Sequence, residues 1–184
     1  MESKIVFEGK SEKGNKIIIR YPTKEDAQEM CDYINALSKE QTFVRFQGEE
    51  QSIEDETEYL EKQLKRISDK KTVQLLVFSN NELIGISGID MKDKTESHEG
   101  VFGISLNDKY RGEGIGKKLM EITLAEAKNN LSKLRIITLG VFGKNSLAIT
   151  MYKKVGFKEF GRLPDGVFRK AEYDDHVYMY KVMR

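Results

Sequence analysis

The feature that most constrains this chain is a glycine-rich turn between a strand-like segment and a helix-like segment. The turn reads Arg111-Gly-Glu-Gly-Ile-Gly-Lys117, with glycine at every second position. Glycine has no Cβ, so the backbone can turn sharply there and approach a ligand closely. The first amides of a helix lack intrahelical acceptors and lie at the positive end of the helix dipole. The segment therefore predicts a binding site for an anion, most often a phosphate.

The spacing of the glycines excludes the two commonest phosphate-binding loops. A dinucleotide fingerprint, G-x-G-x-x-G, needs glycine where the chain has Lys117. A Walker A loop needs a hydroxyl residue after Gly-Lys, but Lys118 follows Gly116 and Lys117. The pattern that fits is Arg-x-x-Gly-x-Gly, from Arg111 to Gly116. A glycine-rich turn without a ligand is the alternative, and we consider it less favourable because alternate glycines cost conformational entropy on folding.

The hydrophobic periodicity around this turn predicts strand, two helices, three strands, helix, strand, helix and final strands. The predicted strands are 16–21, 73–78, 83–90, 98–106, 134–141 and 173–182, and the predicted helices begin at residues 24, 53, 114 and 145. Residues 1–15 are read as a strand or a frayed lead-in, and residues 161–167 as a turn or bulge. A strand–helix–strand unit implies a parallel pair with a right-handed crossover, and the hairpins imply antiparallel pairing. The prediction is an α/β (α+β) fold with a central, mostly antiparallel twisted sheet of six to seven strands and helices on both faces.

The overall composition limits the class of protein. A chain of 184 residues fits a single domain, here 1–184. A net charge of +1 gives no indication of nucleic acid or of an acidic membrane as a partner. Cys31 is the only cysteine, which excludes an internal disulfide and fits a reducing compartment. Because we find neither a secretory signal nor a run of apolar residues long enough to span a membrane, we expect a cytoplasmic protein.

A second motif lies in the helix that follows the next predicted strand, Asn145-Ser-Leu-Ala-Ile-Thr-Met-Tyr152-Lys-Lys-Val-Gly-Phe157. In this order of elements, the two motifs resemble the GNAT superfamily of acetyl-CoA-dependent N-acetyltransferases. The second motif matches that family's N-x-x-A-x-x-x-Y-x-K-x-G-F helix at every marked position. The resemblance covers residues 16–182 and implies the GNAT fold, in which the parallel strand pair splays apart.

The resemblance also implies acetyl-CoA as co-substrate, no metal, and a set of coenzyme-binding residues. Backbone amides would hold the pyrophosphate at Gly112, Glu113, Gly114, Ile115, Gly116 and Lys117. Arg111 would fix the turn, and the strand end at Ile104, Ser105 and Leu106 would pair with the pantetheine arm and offer an amide to the thioester carbonyl. Asn145 would hydrogen-bond the pantetheine. Surrounding lysines such as Lys154 could meet the remaining phosphates or be solvated surface residues.

Two residues are candidates for proton transfer. Tyr152 lies two helical turns after Asn145 and therefore on the same face, and it is the predicted acid for the leaving thiolate. Where many relatives carry a glutamate base, this chain has Val101. Glu99 lies two residues earlier on the same face of the strand and is the candidate base, with a water chain as the alternative. Asp174, Asp175 and His176 could line the acceptor side.

These observations predict an N-acetyltransferase that acts on a primary amine of a small molecule or peptide by direct ternary-complex transfer. The alternative is a non-catalytic acetyl-CoA or CoA-binding sensor or assembly module. Cys31 lies in an apolar helical context, which disfavours a ping-pong mechanism through a cysteine. The sequence does not identify the acceptor amine, because the acceptor pocket in such folds is built from the variable first helices and last strands. From the resembling family we expect a homodimer, and we expect neither nucleic acid nor a membrane as a partner.

Overall fold

The computed structural model describes residues 3–183, which form one eight-stranded sheet flanked by four α-helices. The strands are β1 Ile5–Lys10, β2 Lys16–Arg20, β3 Thr72–Ser79, β4 Glu82–Met91, β5 Glu99–Leu106, β6 Ile136–Phe142, β7 Lys158–Arg169 and β8 Glu172–Val182. The helices are α1 Ala27–Glu40, α2 Ile53–Ser68, α3 Ile115–Asn130 and α4 Ser146–Lys154. Short 3₁₀ turns precede α1, β5 and the glycine-rich segment. None of the helices within residues 3–183 is long and apolar enough to cross a membrane.

The strand order is β1-β2-β3-β4-β5-β6-β8-β7, and every neighbouring pair except one is antiparallel. The exception is the parallel pair β5 and β6, which the long helix α3 connects. Since a parallel connection needs a crossover element, α3 must return along one face of the sheet. The mixed, mostly antiparallel sheet predicted from the sequence is confirmed.

Helices cover both faces of the sheet, as predicted. The larger apolar core joins Leu119 of α3 and Tyr152 of α4 to one face. The smaller core joins Leu60 of α2 and several α1 side chains to the other face. The adjacent residues Leu75 and Leu76 of β3 belong to different cores, which confirms that the cores lie on opposite faces because strand side chains alternate.

The sheet has eight strands, one more than the upper limit that we expected from the sequence. The N-terminal segment, which was open to two interpretations, forms the edge strand β1 against β2. The segment 161–167, read as a turn or bulge, lies inside the twelve-residue strand β7. Its pairing with β8 shifts register between Leu163 and Val167, so a bulge is present but the strand continues through it.

Candidate active site

The central strands β5 and β6 are paired over only three residues and then diverge. Glu99, Gly100 and Val101 pair with residues 136–138, and no pairing follows. Beyond that point β5 stays on β4 as far as Leu106, and β6 stays on β8 as far as Phe142. The strands are therefore held apart by their outer neighbours, which leaves what we call the interstrand opening. The splayed pair implied by the resemblance is confirmed.

The backbone of β5 presents polar groups to this opening. The amide of Asn107 donates to the carbonyl of Ile84 on β4, at 2.9 Å. Backbone groups of successive strand residues point to alternate edges, so residues 105 and 107 face β4. The backbone N–H and C=O groups of Ile104 and the N–H of Leu106 consequently face the opening without a partner strand, whereas the Leu106 carbonyl accepts from Arg111. An extended ligand chain could add to this edge as a strand does.

The glycine-rich turn leads directly into α3 with two residues in the left-handed region, Gly112 at φ 73° and Gly114 at φ 74°. The flanking amides are paired: that of Arg111 donates to Asp108, and that of Lys118 donates to the Gly114 carbonyl. Among residues 3–183, none accepts a hydrogen bond from the six consecutive amides of residues 112–117. We call this segment the amide cradle. Unpaired amides at the start of a helix fit a pyrophosphate group.

Arg111 fixes the cradle to the strand before it. Its Nε and Nη2 atoms donate to the carbonyl oxygen of Leu106 at 3.0 and 2.8 Å. Nη2 also lies 2.7 Å from Oε2 of Glu40, at the end of α1. The side chain therefore ties together α1, β5 and the turn. Its positive charge is paired with Glu40, a contact that could not be predicted because the two residues are far apart in the chain.

Glu113 anchors the cradle to the N-terminal hairpin. The carboxylate accepts hydrogen bonds from Asn15 Nδ2 at 2.8 Å and from Ser11 Oγ at 2.9 Å. These two hydrogen bonds hold the pKa of the Glu113 carboxyl below its ordinary value. The backbone amide of Glu12 also donates to the Glu113 carbonyl at 3.0 Å. Although Glu113 lies in the middle of the amide cradle, its side chain is turned away from the unpaired amides, and the residue is only 4% exposed.

We expect a Glu113→Ala variant to weaken acetyl-CoA binding about tenfold, because Ser11 and Asn15 would lose their acceptor and the cradle would lose its support. The turnover number at saturating acetyl-CoA should stay within about twofold. Steady-state kinetics with varied acetyl-CoA measure both quantities. Glu113→Gln is the conservative control: its amide oxygen can still accept both bonds, so it should retain most of the affinity. Equal losses in the two variants would contradict the anchoring role.

Tyr152 of α4 is buried beside β5, on the face that carries α3. Its ring lies edge-on to Phe102, with centroids 6.1 Å apart, and it also contacts Phe157 at 5.9 Å. Burial raises the pKa of its hydroxyl to about 12. Within residues 3–183 that hydroxyl has no hydrogen-bond partner. The phenol therefore keeps its proton throughout the neutral range and has a free donor.

The remaining predicted coenzyme residues lie around the cradle and α4. Asn145 is the N-cap of α4, and its Oδ1 accepts from the amide of Ala148 at 3.2 Å. Its side-chain nitrogen has no acceptor among the described residues, so it can donate to a ligand. Lys154 is exposed in the last turn of α4. Lys117 is exposed in the first turn of α3, where its Nζ lies 3.8 Å from Glu121.

Glu99 lies on the opposite face of the sheet from Tyr152, at the paired end of β5. Its Oε1 lies 2.8 Å from Lys92 Nζ and accepts a hydrogen bond from Thr138 Oγ1, also at 2.8 Å. The bond from Lys92 is the main reason why the pKa of Glu99 lies below its ordinary value. A carboxylate with a lowered pKa holds a proton weakly, so this environment reduces its strength as a base. Val101 is 43% exposed on the same face.

The loop between α1 and α2 lies against the face of the sheet that carries Glu99. This position of the loop was not predicted from the sequence. The ring of Phe43 lies 5.8 Å from that of Phe142, at the end of β6. The guanidinium of Arg169 lies over Phe43 at 4.4 Å, and its Nη1 donates to the carbonyl of Gln41. The loop thus reaches both β6 and the β7–β8 hairpin. These contacts could not be predicted from a short motif, because they join segments more than 90 residues apart in the chain.

A mixed sheet with one diverging parallel pair, an amide cradle at the next helix and a buried tyrosine beside the opening defines a class of coenzyme A-dependent acyltransferase. The chain belongs to the acetyltransferase (GNAT) family, whose family model matches residues 33–157. It is therefore an acetyltransferase that uses acetyl-CoA, and the resemblance read from the two motifs is confirmed.

Individual relatives agree with this assignment. The chain is 31% identical over 119 residues to the L-amino acid N-acetyltransferase AaaT of Escherichia coli K12, an alignment that covers 64% of this chain and 73% of that protein. An acetyltransferase of the GNAT family from Streptococcus pneumoniae superposes with a TM-score of 0.83 at 27% identity, covering 91% and 99% of the two chains. The fold is also that of yncA from Salmonella typhimurium, solved with its cofactor acetyl-CoA, with a TM-score of 0.78 at 15% identity and coverage of 91% and 94%.

Proposed function

We propose that this protein moves the acetyl group of acetyl-CoA to a primary amine of a small molecule or peptide, directly, within a ternary complex. The observation that carries the proposal is the row of six unpaired amides at residues 112–117, next to the interstrand opening. A pyrophosphate on the cradle would place the coenzyme at the start of α3. Its pantetheine arm would then run along the free edge of β5.

The coenzyme-binding roles follow from this placement. The amides of residues 112–117 would hold the pyrophosphate, while Arg111 and Glu113 keep the cradle in shape from behind. Ile104 would pair with the pantetheine arm through its N–H and C=O groups, and Leu106 through its N–H, since Arg111 occupies the Leu106 carbonyl. Ser105 lies between them, and its hydroxyl accepts a hydrogen bond from Tyr33 at 2.9 Å. Asn145 would donate its free side-chain N–H to the arm. Lys154 and Lys117 are exposed and available to the outer phosphates.

The chemistry requires a neutral amine, support for the thioester oxygen and a proton for the leaving sulfur. Acetyl-CoA supplies the activated acetyl group. An amide of β5 at the opening would donate to the thioester oxygen as negative charge develops there. Tyr152 would give its proton to the leaving thiolate, since burial keeps its hydroxyl protonated. Glu99 remains the base predicted from the sequence, although its lowered pKa weighs against it.

Direct transfer is favoured over an acetyl-cysteine intermediate. Cys31 lies within α1 and is only 5% exposed, and its thiol approaches the carbonyl oxygen of Gln51 at 3.4 Å. Burial raises the pKa of this thiol, which reduces the fraction of the reactive thiolate. A thiol in this position is a core group rather than a nucleophile.

The amine acceptor is proposed only as a class. The relative AaaT is named an L-amino acid N-acetyltransferase, which makes free L-amino acids the first acceptors to test, followed by short peptides and polyamines. The homodimer and the cytoplasmic location stay predictions. Analytical ultracentrifugation of the purified protein would test the first of these.

Release of free thiol from acetyl-CoA in the presence of an amine panel tests the function. The panel should hold the twenty L-amino acids, Ala- and Ser-initiated tripeptides, and spermidine. An acetyltransferase releases thiol in proportion to acetylated amine, whereas a non-catalytic CoA-binding module would bind the coenzyme without release. The chain's membership of an acetyltransferase family disfavours that alternative. Acetyl-CoA binding without thiol release for any amine would contradict the proposal.

A further inference from the structure

His176 of β8 lies over the backbone of β6 where the interstrand opening has begun. Its strand partner is Phe142, and its ring stacks on Tyr178 with centroids 4.4 Å apart. A Cβ added to Gly140 would lie 2.9 Å from Cε1 of His176 and closer still to Nε2. The imidazole therefore occupies the space that a side chain at Gly140 would fill. Gly140 lies two residues past Thr138, the last residue of β6 that pairs with β5.

The ring lies on the face of the sheet that does not carry Tyr152. Thr138 and Gly140 point to the same face, because they are two residues apart in a strand. The side chain of Thr138 reaches Glu99 on β5, so Glu99, Val101 and residue 103 share this face too. Tyr152 instead contacts Phe102, which points the other way. His176 and Tyr152 thus flank the opening from opposite faces of the sheet.

Few other side chains near His176 on this face of the sheet are able to take a proton. Val101 is 43% exposed and has no ionisable group. Glu99 is engaged by Lys92 and Thr138. The two carboxylates next to His176 on its own strand already have partners. Asp175 forms an ion pair with Arg162 of β7 at 2.9 Å, and Asp174 accepts a hydrogen bond from the backbone amide of Lys144 at 3.0 Å. Imidazole is the side chain best suited to exchange a proton near neutral pH.

We propose that His176 is the general base for acetyl transfer, acting on the acceptor amine; this inference rests on the function proposed above. The amine enters from the face that carries α1 and α2, and one of its protons passes to an imidazole nitrogen. The amine nitrogen, neutral once that proton has left, forms a bond to the acetyl carbon as the carbon–sulfur bond breaks, and it gives up its second proton to solvent. The leaving sulfur takes the proton of Tyr152 from the other face. The products are the acetamide and the free thiol, and solvent restores both side chains to their starting states.

The test compares His176→Gln with His98→Gln, which removes the chain's other histidine. His98 is exposed just before β5 and serves as the matched control. With the panel amine that reacts fastest, we expect His176→Gln to lower kcat/KM for the amine about 100-fold at pH 7. The control should stay within about twofold. The dissociation constant for CoA, measured by calorimetry, should be unchanged in both.

The pH dependence of the loss separates a base from a structural residue. Once the pH is well above the pKa of the acceptor, most of the amine is already neutral and needs no base, which for a peptide α-amino group with a pKa near 8 is the case at about pH 9.5. The deficit of His176→Gln should therefore shrink at least fivefold between pH 7 and pH 9.5. Gly140→Ala displaces the His176 ring without removing it. This variant should lose less kcat/KM at pH 7 than His176→Gln, and its deficit should also shrink as the pH rises. A loss that stays constant with pH, or a loss below threefold at pH 7, would overturn the proposal.

A competing result would assign the base to Glu99. In that case Glu99→Gln would lose kcat/KM at pH 7 and regain it at higher pH, while His176→Gln would show no loss. A wild-type protein that binds CoA but releases no thiol with any amine would contradict the proposed function itself. The two failures are therefore distinguishable: in the first, the wild type is active and only the assignment of the base falls.

Discussion

A Tyr152→Phe variant should lower kcat by about 100- to 1,000-fold while leaving the dissociation constant for acetyl-CoA within about twofold. The hydroxyl is the only part of the side chain that is removed. The ring would keep its contacts with Phe102 and Phe157, so the fold should be retained. Without the hydroxyl, the leaving thiolate has no donor at this position. Thiol release under saturating substrates measures kcat, and calorimetry measures the affinity.

The pH profile provides a second measurement on Tyr152. Because burial raises its pKa to about 12, the protonated form persists as the pH rises, and deprotonation requires a pH close to that value. The wild-type kcat should consequently show no loss from this group between about pH 7 and pH 10. Tyr21→Phe is the matched control, since its hydroxyl donates a hydrogen bond to Glu126 and the residue follows β2, three strands away from β5. A Tyr152→Phe variant with the wild-type rate would remove Tyr152 as the acid.

A Gly114→Val variant should raise the dissociation constant for acetyl-CoA about 100-fold or more, which corresponds to the loss of two charge-assisted hydrogen bonds from the cradle. Gly114 has φ 74°, a conformation that a β-branched residue adopts only at considerable cost. A Cβ here would also lie 2.5 Å from Oε1 of Glu12. The Glu12 side chain can move aside, but the left-handed backbone at residue 114 would have to shift, so the amides of the cradle would no longer converge. Calorimetric titration with CoA measures the effect.

Gly116→Ala is the matched control for this prediction. Its backbone is not in the left-handed region, and an added Cβ would come no closer than 3.9 Å to Met151. Alanine should therefore be accepted there, with CoA affinity within about threefold of the wild type. Thermal unfolding of both variants separates loss of binding from loss of fold. Wild-type affinity in a folded Gly114→Val protein would contradict the assignment of residues 112–117 as the coenzyme site.

The parts of the site that were predictable are those encoded by short segments of chain. The turn from Arg111 to Lys117 and the helix from Asn145 to Tyr152 each carry their own conformational requirements, such as left-handed glycines and an N-cap. Most strands and all four helices were placed within a few residues, because burial of one face imposes a period on the sequence. The edge strand β1 was ambiguous because most of its residues are only partly buried.

The supports of the site were not predictable, because they join residues that are distant in sequence. Glu113 looked like part of an anion site, yet its side chain is held by the hairpin turn at Ser11 and Asn15. The charge of Arg111 is engaged by Glu40 from another helix. Glu99 lies on the expected face of β5, but its pairing with Lys92 changes its chemistry. Each of these contacts depends on which strands become neighbours.

Local features of the sequence were enough to recognise the family, the glycine-rich turn and Tyr152, since backbone conformation and amphipathic periodicity are local properties of the chain. Three features became visible only in the folded chain: which charges are neutralised, which backbone edge of β5 is free, and the position of His176 over Gly140, across the sheet from Tyr152. The cause is the order of the strands in the sheet. Because β5 stays paired with β4 and β6 stays paired with β8, β5 and β6 diverge, and side chains from distant parts of the chain line the two sides of one opening.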